Sequence, residues 1–148
     1  MMIDKRSSVF MSLLLMVLLT LACTVDQKQS GVPAEMQATI DTVTADVAFR
    51  RFEKIYKEAA EEWRRKVTLE QSSQFFSTLK EKLGAVKSRE SLTGKRKETA
   101  GGDLPGNSFV MRYNTQFERG DGLETFTLVE RDGRWLLAGY SVSSNLLQ

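Results

Sequence analysis

The chain has 148 residues, room for one domain and too few for two comfortable cores. Hydrophobic residues make up 41% and charged residues 27%, as in ordinary globular proteins, and the net charge of +2 gives no general field for nucleic acid. With no histidine and one cysteine, an intramolecular disulfide, a His-based nucleophilic triad and a Cys/His metal set are all excluded.

Residues 1–23 read as a signal segment. Lys5 and Arg6 form a positive start, and Val9 to Ala22 is almost wholly apolar. That run is short for a membrane span and suits the apolar region of an export signal. It ends in Leu19-Thr20-Leu21-Ala22-Cys23, which resembles a bacterial lipobox. There a small residue precedes a cysteine that receives lipid and becomes the mature N-terminus. Thr20 stands where that motif usually has Leu. The alternatives are an uncleaved anchor helix, or an ordinary signal peptide that leaves Cys23 as a free thiol. A free thiol on an exported protein invites cross-linking, so lipidation of Cys23 is the expectation. Thr24, rather than Asp, after Cys23 points to the outer membrane in a two-membraned bacterium.

Residues 24–43 are polar and without period, and are read as a flexible tether. The folded domain is expected over 44–148. From Ala45 the residues Ala48, Phe52, Ile55, Ala59, Trp63 and Val67 recur at threes and fours, with Phe49 and Tyr56 widening the stripe. Thr44 or Asp46 is the expected cap. The opposite face offers the pairs Glu53–Lys57, Glu61–Arg65 and Glu62–Lys66. Thr68 and Gln71 match a capping box, and Leu69 to Leu83 forms a second helix ended by Gly84.

The remainder reads as β-structure. Ala85 to Thr93 is polar and suits an edge strand, with Lys95-Arg96-Lys97 on its extension. Gly101-Gly102 and Pro105-Gly106 mark a loop. Phe109, Met111, Tyr113, Thr115 and Phe117 alternate with Val110, Arg112, Asn114 and Gln116. Gly120-Asp121-Gly122 turns the chain, Leu123 to Glu130 forms the next strand, and Asp132-Gly133 is a hairpin signal. The last strand, Trp135 to Val142, has bulk on both faces and is expected deep in the sheet, with a bend or bulge at Gly139. The fold class is therefore α+β: two helices packed on a curved four-stranded antiparallel sheet.

Several elements recur together: Leu83 to Arg89, Leu104-Pro105-Gly106, Tyr113-x-Thr115-x-Phe117, Glu124-Thr125, Asp132 to Trp135 and Gly139-Tyr140. In this order they resemble a family of small exported bacterial domains, domain of unknown function 4019. The resemblance spans roughly Ala45 to Val142. It implies a cystatin-like or nuclear-transport-factor-2-like fold and carries no catalytic residues to transfer.

No acidic loop has calcium-ligand spacing, and no Gly-rich loop lies between a strand and a helix. No cofactor is expected. Arg89, Arg112, Tyr113, Glu124 and Tyr140 are the candidates to line a concave pocket. For Arg112 and Glu124 the plainer reading is a cross-strand ion pair. For Tyr113 and Tyr140 it is core packing with a satisfied hydroxyl. The functional expectation is a lipid-anchored, non-enzymatic interaction or scaffold module of the envelope, binding another envelope protein or a peptide through the sheet edge or the concave face. A small-molecule pocket protein and an acid/base enzyme are the alternatives, the last by fold analogy alone.

Overall fold

The computed structural model describes residues 31–148. The signal segment, Cys23 and the start of the tether lie outside the described residues. The helices are α1 (Ala34–Ala48), α2 (Phe52–Glu58), α3 (Glu61–Lys66) and α4 (Leu69–Leu83). The strands are β1 (Val86–Thr99), β2 (Gly106–Phe117), β3 (Asp121–Arg131) and β4 (Arg134–Ser143), and a short helical turn, Asn145–Leu147, follows. The four strands form one antiparallel sheet in the order β1-β2-β3-β4, and the helices cover one face.

The tether as drawn from the sequence is too long. Its second half is helix, because Met36, Ile40 and Val43 recur at fours and threes and are all buried. Pro33 precedes the helix, and its carbonyl accepts from the amides of Met36 and Gln37 at 3.0 Å. Asp46 is no cap at a helix start. It lies buried near the end of α1, where Arg51 Nε (2.6 Å) and Lys54 Nζ (2.7 Å) donate to its two oxygens.

Those bonds brace a sharp corner. Arg50 takes a positive φ of 56° and the chain reverses into α2. Phe49, counted in the apolar stripe, is instead 71% exposed, with the Arg51 guanidinium over its ring. The stripe breaks again at Ala59 and Ala60, both extended and both buried. Ala60 leaves the helix to donate its amide to the Leu137 carbonyl at 2.8 Å. One continuous helical period thus becomes three segments, since corner and edge bonding outcompete helix continuation.

Trp63 donates its indole N–H to Ser72 Oγ at 3.1 Å, joining α3 to α4. The capping box forms as expected: Thr68 Oγ1 accepts from Gln71 N, and Gln71 Oε1 accepts from Thr68 N. Gly84 ends α4 at φ 80°, and a Cβ there would meet the Glu118 side chain at 2.5 Å. Glu53–Lys57 and Glu61–Arg65 pair as expected. Glu62 does not pair with Lys66. It is buried and accepts from Arg131, which also donates to the Pro105 carbonyl. Burial, the largest single influence, favours its neutral form, but the bond and charge of Arg131, its own backbone amide and the Arg65 charge together lower its pKa.

Within the sheet, Asp132 and Gly133 both have positive φ and make the two-residue hairpin that matches strand twist. The β2–β3 turn comes earlier than expected, at Glu118 to Gly120, with Phe117 N donating to the Gly120 carbonyl. Ala138 is an extra residue between Leu137, opposite Leu128, and Gly139, opposite Thr127, so the bulge anticipated at Gly139 sits beside it. Lys87 and Leu92 are extra residues of β1. β4 is not deep in the sheet but forms its far edge. Its bulk is explained by cover: Thr39 Oγ1 donates to the Trp135 carbonyl at 2.9 Å, and Ala60 to that of Leu137. β1 is the other edge, and its residues are mostly exposed.

Because Ile40 is buried in this core, Ile40→Ala is expected to destabilise the fold by about 2–5 kcal/mol. A lower urea midpoint with an unchanged slope checks this. An unchanged midpoint would return residues before Thr44 to a passive tether.

Candidate functional site

The inward faces of all four strands meet at one carboxylate. Register places Arg89 opposite Thr115, Tyr113 opposite Glu124, and Phe126 opposite Tyr140. Glu124 is completely buried. Arg89 grips it with two prongs, Nε to Oε2 at 2.5 Å and Nη2 to Oε1 at 2.8 Å. The Tyr140 hydroxyl donates to Oε1 and the Thr115 hydroxyl to Oε2. Each oxygen therefore accepts two hydrogen bonds, which fills a carboxylate's capacity.

Arg89 extends the network upward. Its Nη1 donates to Thr44 Oγ1 at 2.7 Å, and Thr44 in turn donates to the Ile40 carbonyl on α1. The guanidinium lies over the rings of Phe126 at 5.3 Å and Tyr113 at 5.7 Å. Tyr113 donates its hydroxyl to Gln37 Oε1 at 3.1 Å. One helix and all four strands are thus tied to a single ion pair.

The charges are held where they are. Burial works against the Arg89 cation, but the bonds to Glu124 and its charge outweigh burial and raise the arginine's pKa. Burial, the Glu124 charge and the bond to Glu124 together push the Tyr140 hydroxyl well above its ordinary value. Tyr113 is raised mainly by burial, with the Arg89 cation opposing. Both carboxylate oxygens are thus saturated, and the phenol facing them is held in its protonated form.

Four of the five sequence candidates, Arg89, Tyr113, Glu124 and Tyr140, converge here. Arg112 does not. Tyr113, not Arg112, stands opposite Glu124, so Arg112 points to the other face of the sheet and the anticipated Arg112–Glu124 pair does not form. Two members escaped sequence reasoning. Thr44 was read as a helix cap, although it lies in the third turn of α1. Thr115 carried a usable signal: it is the one non-aromatic polar residue in the inward row of β2 from Phe109 to Phe117, a position that needs a polar partner.

Beside the network lies a cavity of about 100 Å³, between α1, α4 and the sheet. Val43, Val47, Leu79, Leu83, Phe117 and Phe126 supply its apolar wall, and Arg89, Glu124 and Tyr140 also line it.

Removing one partner of the ion pair strands a buried charge. Arg89→Met is expected to cost about 3–5 kcal/mol, while Arg89→Met with Glu124→Leu costs less than the sum of the single changes. Urea unfolding of the four-member cycle measures that coupling, and additivity would refute it. The raised Tyr140 pKa favours the protonated hydroxyl in the folded state. Its contribution is fully present below the unfolded tyrosine value near 10 and is lost as pH rises through the folded value. Stability should therefore fall above about pH 10, and Tyr140→Phe should flatten that decline. Unfolding midpoints taken from pH 8 to 11 read both slopes.

No curated protein matches the chain. A family model described as protein of unknown function (DUF4019) matches residues 39–140, a span that contains Thr44, Arg89, Thr115, Glu124 and Tyr140. The match covers well over half of the chain, and the protein belongs to the DUF4019 family.

Proposed function

We propose that the chain is a lipid-anchored cell-envelope domain, held to the membrane through Cys23, that acts as a non-enzymatic docking module. In a two-membraned bacterium it faces the periplasm from the outer membrane. The partner is an extended acidic segment of another envelope protein, received along β1 and the outward face of β1 and β2.

One observation carries this reading. Lys95, Lys97 and Arg112 share the outward face, with Thr93 opposite Arg112, Val110 opposite Lys95 and Ser108 opposite Lys97. All three cations are exposed, and among the described residues none lies within ion-pair distance of a carboxylate. Glu90 stands on the same strand but does not pair with Arg112. On the helices Lys54, Lys57 and Arg65 pair with neighbouring glutamates, while Lys66, Lys80 and Lys82 do not among the described residues; what sets Lys95, Lys97 and Arg112 apart is that they stand together on one face of two paired strands. Beyond the Leu92 bulge, β1 runs in unbroken register from Thr93 to Thr99, with no strand on its outer side among the described residues. A regular free edge accepts an added strand, and its lysines repel a second copy of itself while attracting an acidic segment.

The anchor is supported by the Leu-Thr-Leu-Ala-Cys ending of the apolar leader and by the position of the lone cysteine. Cys23→Ser should release the protein from the membrane fraction or block its processing; unchanged mass and fractionation would count against lipidation. For docking, cross-linking in native membranes followed by capture should recover a partner. The triple change Lys95→Glu, Lys97→Glu, Arg112→Glu should lower that recovery at least tenfold, and added salt should weaken it. Free monomer alone from cross-linked cells would overturn the docking role. Equal loss of binding to protein-free anionic vesicles would replace the protein partner with the membrane surface.

A further inference from the structure

The cavity beside Glu124 has a chemistry that the docking reading does not use. We infer that it is a binding site for a small neutral amphiphile: an apolar body the size of a short alkyl chain, carrying one oxygen that accepts a hydrogen bond.

Size comes first. A cavity of about 150 Å³ lined by apolar side chains takes up benzene, so the roughly 100 Å³ here suits a ligand of about four to six non-hydrogen atoms. It is well below the volume of a drug-sized site. The wall chemistry follows from the fold. Val43 and Val47 come from one face of α1, Leu79 and Leu83 from α4, and Phe117 and Phe126 from the inward rows of β2 and β3. A void with such a wall has no polar partners for a resident water along most of its length.

The polar end selects the head group. Guanidinium has five N–H donors. Arg89 directs three of its donor bonds to Glu124 Oε1, Glu124 Oε2 and Thr44 Oγ1, which leaves two N–H groups without an acceptor among the described residues. Both Glu124 oxygens are full, and Thr44 and Tyr140 have already committed their hydroxyl protons. What the site offers a ligand is therefore donor capacity. The Arg89–Glu124 unit is neutral as a pair, so a third charge brought beside it would go uncompensated; the Lys80 ammonium lines the cavity at its mouth, away from this inner end. A carboxylate would face Glu124, and an ammonium would face the Arg89 cation with only hydroxyl lone pairs of Thr44 and Tyr140 to receive it. A neutral carbonyl or hydroxyl meets neither penalty.

Ala48 and Lys80 also line the cavity, and Ala48 is exposed, which places an opening near the ends of α1 and α4. Ala48→Phe would obstruct that opening without touching the network. The test uses 2-pentanone as probe, with pentanoate and pentylammonium as charged counterparts, and reads methyl shifts of Val43, Val47, Leu79 and Leu83 by NMR. Saturable shifts confined to these methyls are expected with the ketone, at least tenfold weaker binding in Ala48→Phe, and binding of both ions at least tenfold weaker than of the ketone. Linear shifts, shifts spread over surface methyls, or binding unchanged in Ala48→Phe would overturn the site. Pentanoate binding as well as the ketone would overturn the neutral head group. The charge-reversed outer-face variant should bind 2-pentanone normally, so failure here is separate from failure of the docking role.

Discussion

The bidentate pair between Arg89 and Glu124 is the constraint around which this domain is assembled. Desolvating two charges costs more than their attraction returns unless every remaining donor and acceptor is met. Here both carboxylate oxygens are filled and a third guanidinium donor is met, by groups from widely separated parts of the chain: Thr44 from α1, Thr115 from β2 and Tyr140 from β4. The pair can form only when the helix has landed on the sheet and all four strands are in register. That makes it a device for uniqueness rather than for raw stability. A one-residue slip of β2 against β3 would bring Arg112 or Asn114 inward and leave Glu124 without its setting.

The same arrangement leaves the two edges of the sheet unlike each other. At β4 the outward carbonyls of Trp135 and Leu137 are taken by Thr39 and Ala60, so helices close that side. At β1 no element among the described residues does the same, and protection falls to bulges and basic side chains. A closed edge, an open cationic edge and a hollow beside a neutralised ion pair are distinct features of one small fold. The first is structural, the second carries the proposed docking role, and the third has room for a small molecule.

Much of the sheet was legible because its signals are local. Strict alternation in β2, the Asp132-Gly133 turn and the Thr68–Gln71 capping box each depend on a few neighbouring residues, and each formed where it was read. The helical layer was less legible. The period running from Ala48 to Val67 is real as a pattern of burial at Ile55, Ala59 and Trp63, yet the chain breaks twice within it. Both breaks are set by distant partners or by buried charge: Asp46 drawing in Arg51 and Lys54, and Leu137 drawing out Ala60. The helical start at Ala34 was hidden because Met36, Ile40 and Val43 are spaced among polar residues that resemble a linker.

By itself, the sequence determined the order of helices before strands, the faces of β2, the two-residue β3–β4 hairpin and the family to which the chain belongs. Those follow from periodicity and turn chemistry, which act over a handful of residues. Only the tertiary structure decided that Glu124 answers to Arg89 rather than Arg112, that Thr44 and Thr115 complete its shell, and that a cavity remains beside them. Those outcomes depend on strand register and on how one helix seats against the sheet, and such long-range relations leave no mark in the spacing of neighbouring residues.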